Sequence, residues 1–285
     1  MMASKQKKLL ITSSSIDEAV TQVILKHQTQ FDLKIHIILL HELLSDFNIN
    51  DELSDKASII RWSKPNQAVI SNQTHYLLNR ILCVPDDLFL NFIESDREYA
   101  KREFEAYLGY SLSSFKGVSN HTINGMCEQL YSLPEQWQLL QKTSLKTPKY
   151  YWGPKPLCDL NQNLIYSNIY DVYHWKATQK TPRKNHVFCF EKPPGQPLFI
   201  LSLGEQTLIT SHSLLSENLK NHVLKQLKTI RACFGYFIFE TLLFIQDNNI
   251  HFGCVNLALT HSKKHPDFEA FILKHLTQAY FKCLN

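Results

Sequence analysis

The sequence predicts an α/β (α+β) fold in which a small N-terminal α/β lobe is followed by two β-rich lobes. Three observations carry this expectation: a strand–helix–strand opening over Lys8 to Leu40, a run of short strands between Tyr150 and Ser213, and a strand–turn–strand stretch within Phe234 to Thr260. The 285 residues are enough to bury a substantial core, and 44% hydrophobic with 20% charged content describes an ordinary globular chain.

Lys8 to Thr12 reads as a buried strand ending in Ser13-Ser14-Ser15, and Ser15-Ile16-Asp17-Glu18 has capping-box spacing. A helix should follow with Ile16, Ala19, Val20, Val23 and Ile24 on one face. Lys34 to Leu40 is a second apolar strand, so the opening is βαβ with a right-handed parallel crossover. The segment lacks GxGxxG, and the three serines read as a helix cap rather than a phosphate cradle.

Ala57 to Trp62 and Gln67 to Asn72 form a pair of short strands around Lys64-Pro65-Asn66, Leu77 to Arg80 follows, and Ser95 to Ser114 is an amphipathic helix. Its aromatics Tyr99, Phe104 and Tyr107 read as core. Ser132 to Gln136 opens a proline-initiated helix, after which the chain is β-rich: Asn163 to Lys176 as two short strands, His186 to Glu191, and Leu198 to Leu203 after the turn Lys192 to Gly195. Ser216 to Phe234 is an amphipathic helix with its lysines outward. His261 to Pro266 reads as a mobile loop and Asp267 to Leu284 as a closing helix.

The late hairpin specifies secondary structure and polar chemistry together. Tyr236 to Ile245 and Ile250 to Leu259 flank Asp247-Asn248-Asn249, the pattern of a strand, a tight turn and a returning strand. Glu240 interrupts the first apolar run and Asn256 the second. A buried carboxylate needs a cation, a donor or a proton, so Glu240 either has a partner or lines a cavity.

This hairpin resembles the metal-binding end of an ATP-grasp ligase, where an acid on the first strand and Glu-x-Asn on the second hold magnesium. Matched residue by residue, Glu240 falls on the first acid, Cys254 on the Glu and Asn256 on the Asn. Asn79-Arg80 is similar to the family's step closing the N-terminal lobe, although a surface-loop role for Arg80 stands beside it, and Val118-Ser119-Asn120 to the strand entering the nucleotide-binding half. Ser132 to Gln136 resembles the Ser-Lys-Pro-x-Gln entry of members that modify peptides.

The resemblance implies an N-terminal domain over 1–120 and an ATP-grasp-like domain over 121–285, with a central lobe at about 131–195 and a C-terminal lobe at about 196–285 enclosing a nucleotide cleft. Lys176 would touch the phosphates, and Glu191 would hold adenine and ribose from the hinge. The alternatives are a solvent-exposed strand-end lysine and a strand-end carboxylate facing water. The implied cofactors are ATP and Mg2+. Three residues depart from the pattern: Leu133 replaces the lysine, Phe199 an arginine aimed at the acyl phosphate, and Cys254 a carboxylate. Magnesium takes oxygen ligands, so the thiol weakens that half of the site.

Two functions are therefore expected. One is a divergent ATP-dependent carboxylate–amine ligase, ADP-forming, acting on a peptide or small carboxylate through an acyl phosphate. The other is a non-catalytic ATP-grasp-like binding protein or partner subunit; a homodimer or a catalytic partner protein fits either. Lys plus Arg exceed Asp plus Glu by four, 30 against 26, with no basic stripe, so nucleic-acid binding has no footprint. Seven scattered cysteines without CxxC, and thirteen histidines without HExxH and with HxxxH spacing only at His261 and His265 in a polar loop, give no zinc signature. The N-terminal apolar run Leu9 to Ile11 is far too short for a secretory h-region, no stretch approaches the roughly 20 apolar residues of a membrane span, and the expected compartment is the cytoplasm.

Overall fold

A computed structural model describes residues 8–15, 17–31, 34–54, 57–117, 131–153, 164–172, 175, 187–210 and 215–284. The chain divides into two compact units, one formed by 1–129 with 266–285 and the other by 130–265.

In the first unit, β1 (Lys8–Ser13) lies between β2 (Ile35–Leu39) and β6 (His75–Arg80), parallel to both. Helix α1 (Ala19–Lys26) makes the crossover, as the alternation of apolar run and 3.6-residue spacing requires. Leu9, Leu10 and Ile11 are fully buried, each side chain contributing about 1.5–3 kcal/mol relative to exposure. The helix begins later than the serine pattern suggests: Glu18 is the N-cap, accepting the Thr21 N–H at 2.9 Å, while Ser15 Oγ accepts from Asp17 N. Helix α6 (Phe268–Leu284) belongs to this unit, where Glu269 pairs with Lys26 at 2.8 Å and Tyr280 donates to the Leu77 carbonyl at 2.7 Å.

A second sheet in this unit has the order β3–β4–β5, from Asn48–Ser54, Ala57–Ser63 and Ile70–Ser71. With α3 (Glu94–Ser113), it encloses a core of Ile60, Trp62, Phe104, Leu108 and Phe115, while α2 (Leu40–Ser45) packs Leu43 into the same core. The Trp62 indole donates to Tyr107 Oη at 3.0 Å. Tyr99, expected in the core, is instead exposed.

The second unit opens with α4 (Leu133–Leu140), capped by the reciprocal pair Ser132 and Glu135. Strands β7 (Tyr150–Gly153), β8 (Leu164–Tyr166) and β9 (Val187–Glu191) form one antiparallel sheet with β9 in the middle. Strands β10 (Gln196–Leu203), β11 (Gln206–Ile209), β12 (Ile238–Gln246) and β13 (Asn249–Asn256) form another in the order β11–β10–β12–β13. Helix α5 (Glu217–Phe234) starts at the Ser216 cap and ends at Gly235, whose φ of 68° closes it in the left-handed conformation. Among the described residues no helix is long and apolar enough to cross a membrane.

Candidate functional site

The β12–β13 hairpin turns at Asp247, whose φ of 54° is a conformation that Asp and Asn adopt more readily than most residues. On the way back, Leu242 faces Cys254 and Leu243 faces Phe252, so Gly253 is the extra residue of a β-bulge. A Cβ there would lie 3.0 Å from the Leu242 carbonyl. Opposed residues share a face of a sheet, which sets Glu240 beside Asn256 and Leu242 beside Cys254. Leu201 opposes Glu240 and Phe199 opposes Leu242, extending this face onto β10.

The outer edge of β13 is closed by α4. Gln136 Nε2 donates to the Val255 carbonyl at 3.1 Å and its Oε1 accepts the Val255 N–H at 2.7 Å, so one side chain stands in for a neighbouring strand. Trp137 Nε1 donates to the Gly253 carbonyl at 2.7 Å.

Glu240 is 2% exposed, and its carboxylate is met by the chain that follows β13. Oε2 accepts the main-chain N–H of His261 at 3.0 Å and that of Ser262 in a short hydrogen bond. Oε1 lies 3.2 Å from His261 Nδ1. The His261 ring stacks flat on Phe199, with centroids 3.8 Å apart and planes 12° apart. Within His261 to Pro266, expected as a mobile loop, Ser262–Lys264 form a 3-10 turn whose start is hydrogen-bonded to Glu240 of β12. Buried Leu259 takes a φ of 53°, a left-handed conformation costing a branched residue roughly 1–2 kcal/mol, on the approach to this turn.

Asn256 is 5% exposed; its Oδ1 accepts the Ala258 N–H at 3.0 Å, and its Nδ2 has no hydrogen-bond partner among the described residues. The Cys254 thiol lies 3.3 Å from the Val172 carbonyl, to which it donates. Burial, reinforced by the neighbouring Glu240 charge, pushes its pKa up, so it stays a neutral thiol. Trp175 adds an aromatic wall, its ring 5.1 Å from both Phe190 and Phe244.

The structure thus brings Glu240, Asn256 and Cys254 onto one face and adds Phe199, stacked on His261. Glu191 lies elsewhere, at the end of β9 in the other sheet, half-buried, its N–H donating to the Lys149 carbonyl at 2.9 Å. Its carboxylate has no hydrogen-bond partner among the described residues. Leu133 is fully buried, its N–H bonded to the Ile169 carbonyl at 2.7 Å. Lys176 and Val118 to Asn120 lie outside the described residues. In the first unit Arg80 is not a surface residue: it is 0% exposed and pairs with buried Glu18 at 2.8 Å.

The expectation that Glu240 and Asn256 hold magnesium meets a donor set that does not fit the ion. Magnesium requires near-octahedral oxygen coordination. Here both Glu240 oxygens accept from the turn, the Asn256 oxygen accepts from Ala258, and the third group is an uncharged sulfur. Among the described residues no group of three or more His, Cys, Asp or Glu side chains is placed to hold a metal. Two participants, His261 and Gln136, were not legible as site residues: one acts largely through a main-chain N–H, the other through a strand edge.

No protein-family model matches the sequence, and no curated protein is similar to it. Solved structures are similar over nearly the whole chain. The macrocyclase MdnC of Microcystis aeruginosa, bound with the precursor peptide MdnA, aligns with a TM-score of 0.69 at 14% identity, covering 95% of this chain and 99% of its own. A RiPP-associated ATP-grasp ligase of Chryseobacterium gregarium, in complex with ADP and a leader and core peptide, aligns at 0.63 and 12%, covering 98% and 97%. The D-alanine–D-alanine ligase of Bacillus anthracis aligns at 0.53 and 13%, also covering 98% and 97%. Together with the hairpin pattern, these alignments identify the chain as having the ATP-grasp fold, in a divergent form.

Proposed function

We propose that this chain is a non-catalytic ATP-grasp-fold protein that binds a peptide, with any phosphoryl transfer left to a catalytic partner. The observation that carries the reading is the Glu240 carboxylate, whose oxygens are taken up by His261 and Ser262 of its own chain. Phosphoryl transfer depends on positive charge or metal at the migrating group. At the three matched positions this chain offers Leu133, fully buried, Phe199, stacked on His261, and Cys254, a neutral thiol. Peptide binding is supported by similar structures holding a precursor peptide or a leader and core peptide.

The second reading, an ADP-forming carboxylate–amine ligase, draws on alignments that span nearly the whole chain, two of them to ligases and one of those in complex with ADP. An ADP-release assay with ATP, magnesium and candidate peptides separates the two. The first reading expects no release above a protein-free control while a peptide still binds. Peptide-stimulated release that disappears in Glu240→Ala would establish the second.

A further inference from the structure

The groove between α5 and the β10–β11 turn carries a charge arrangement that neither reading uses. It is a concavity of about 470 Å3, with Lys225, Lys228 and Arg231 on its helical wall and Glu205, Gln206 and Thr207 on the other. The three cations are spaced three residues apart and so share a helix face. At about 1.5 Å per residue they form a line of positive charge about 9 Å long.

Arg231 is fixed at one end, its Nη1 donating to the Glu205 carbonyl at 3.1 Å and its Nη2 to the Gln206 carbonyl at 3.2 Å. Lys225 and Lys228 are exposed and, among the described residues, have no carboxylate within ion-pairing distance. Lys220 on the same helix differs, lying 3.8 Å from Glu217. Glu205 is the one acidic side chain of the lining, so three cations against one carboxylate leave the groove with an excess of two positive charges.

We propose that this groove docks an acidic peptide segment. A row of cations along a helix suits an elongated anion better than a point one. In an extended peptide, alternate side chains point the same way about 7 Å apart, so two carboxylates at i and i+2 span most of the row. The site contains none of Glu191, Glu240 or Asn256, and the inference holds whether or not the chain binds nucleotide.

The test is fluorescence anisotropy of the full chain with a labelled peptide of alternating Glu and Gly, and with the same peptide carrying Gln for Glu. The Glu peptide should bind, weaken as salt rises, and weaken about tenfold or more in Lys225→Glu/Lys228→Glu, while the Gln peptide should not bind measurably. Lys220→Glu, outside the lining, should change affinity less than about twofold. Absence of binding, equal binding of the Gln peptide, or an unaffected double variant would overturn the proposal. So would an equal loss from Lys220→Glu, which marks diffuse attraction, or full displacement by inorganic phosphate, which marks a small-anion site.

Discussion

Glu240 and His261 meet at two points: the His261 N–H reaches Oε2 at 3.0 Å and the ring nitrogen lies 3.2 Å from Oε1, while the Ser262 N–H next along the chain completes the carboxylate's set. The strand acid that the sequence pattern matched to a magnesium ligand is held here by the protein's own main chain. The consequences separate into backbone and ring contributions.

Glu240→Ala removes the acceptor for two N–H groups around a buried carboxylate. Each orphaned buried donor costs about 1–3 kcal/mol, so a loss of about 3 kcal/mol is expected in denaturant unfolding. His261→Ala keeps both N–H donors and forfeits the stack on Phe199 and the ring contact with Oε1, for about 1–2 kcal/mol. A larger loss from His261→Ala than from Glu240→Ala would reverse the assignment.

Cys254→Glu sets a second carboxylate against Glu240 in a position 4% exposed. Like-charge repulsion and desolvation should destabilise the variant by about 3 kcal/mol or more. Because the Glu240 oxygens stay with His261 and Ser262 and the Asn256 oxygen with Ala258, the new carboxylate stands alone and magnesium should not recover the loss. The unmodified protein should show no magnesium-dependent change in melting temperature, the comparison that thermal scanning with and without the ion provides.

In the first unit the buried pair Glu18–Arg80 underlies the start of α1. Burial raises the Glu18 pKa, but Arg80, by charge and hydrogen bonds, together with Thr21, outweighs it and holds the carboxyl below its usual value. Arg80→Met leaves that charge uncompensated and should cost about 3–5 kcal/mol. Glu18→Gln/Arg80→Met, with no isolated charge, should recover at least half of that loss in the same unfolding measurement.

His75 is buried, with its Nε2 lacking a partner among the described residues and its ring 5.0 Å from that of His36. Burial first, then His36 and Lys8, lowers its pKa from 6.5 to about 4, against a smaller upward effect of the Ser71 main chain. Because the folded value is the lower one, its neutral form favours the fold fully above about 6.5, and stability falls as pH drops from there toward about 4. His75→Gln should flatten that part of the stability profile by on the order of 2 kcal/mol.

The βαβ opening, helix α5 and the late hairpin were legible because each repeats its apolar period cleanly over its own length. Strand β3 was not: NINDELS alternates weakly and is rich in Asn, Asp and Glu, residues disfavoured in strands, and it forms an edge of its sheet through pairing with β4. The cap moved from Ser15 to Glu18 because a guanidinium sixty-two residues away, at Arg80, makes a carboxylate tolerable there. Pairing of Glu240 with Asn256 follows from hairpin register and was readable. What fills the carboxylate was not, since main-chain N–H groups of a polar stretch such as HSKKHP leave no side-chain signature.

The most direct measurement is calorimetric titration of the unmodified protein with a non-hydrolysable ATP analogue, with and without magnesium. The expected result is that magnesium changes neither the affinity nor the heat, since the Glu240 oxygens are already taken by His261 and Ser262. Magnesium-dependent binding that vanishes in Glu240→Ala would show that the turn yields the carboxylate to a metal and would contradict the account.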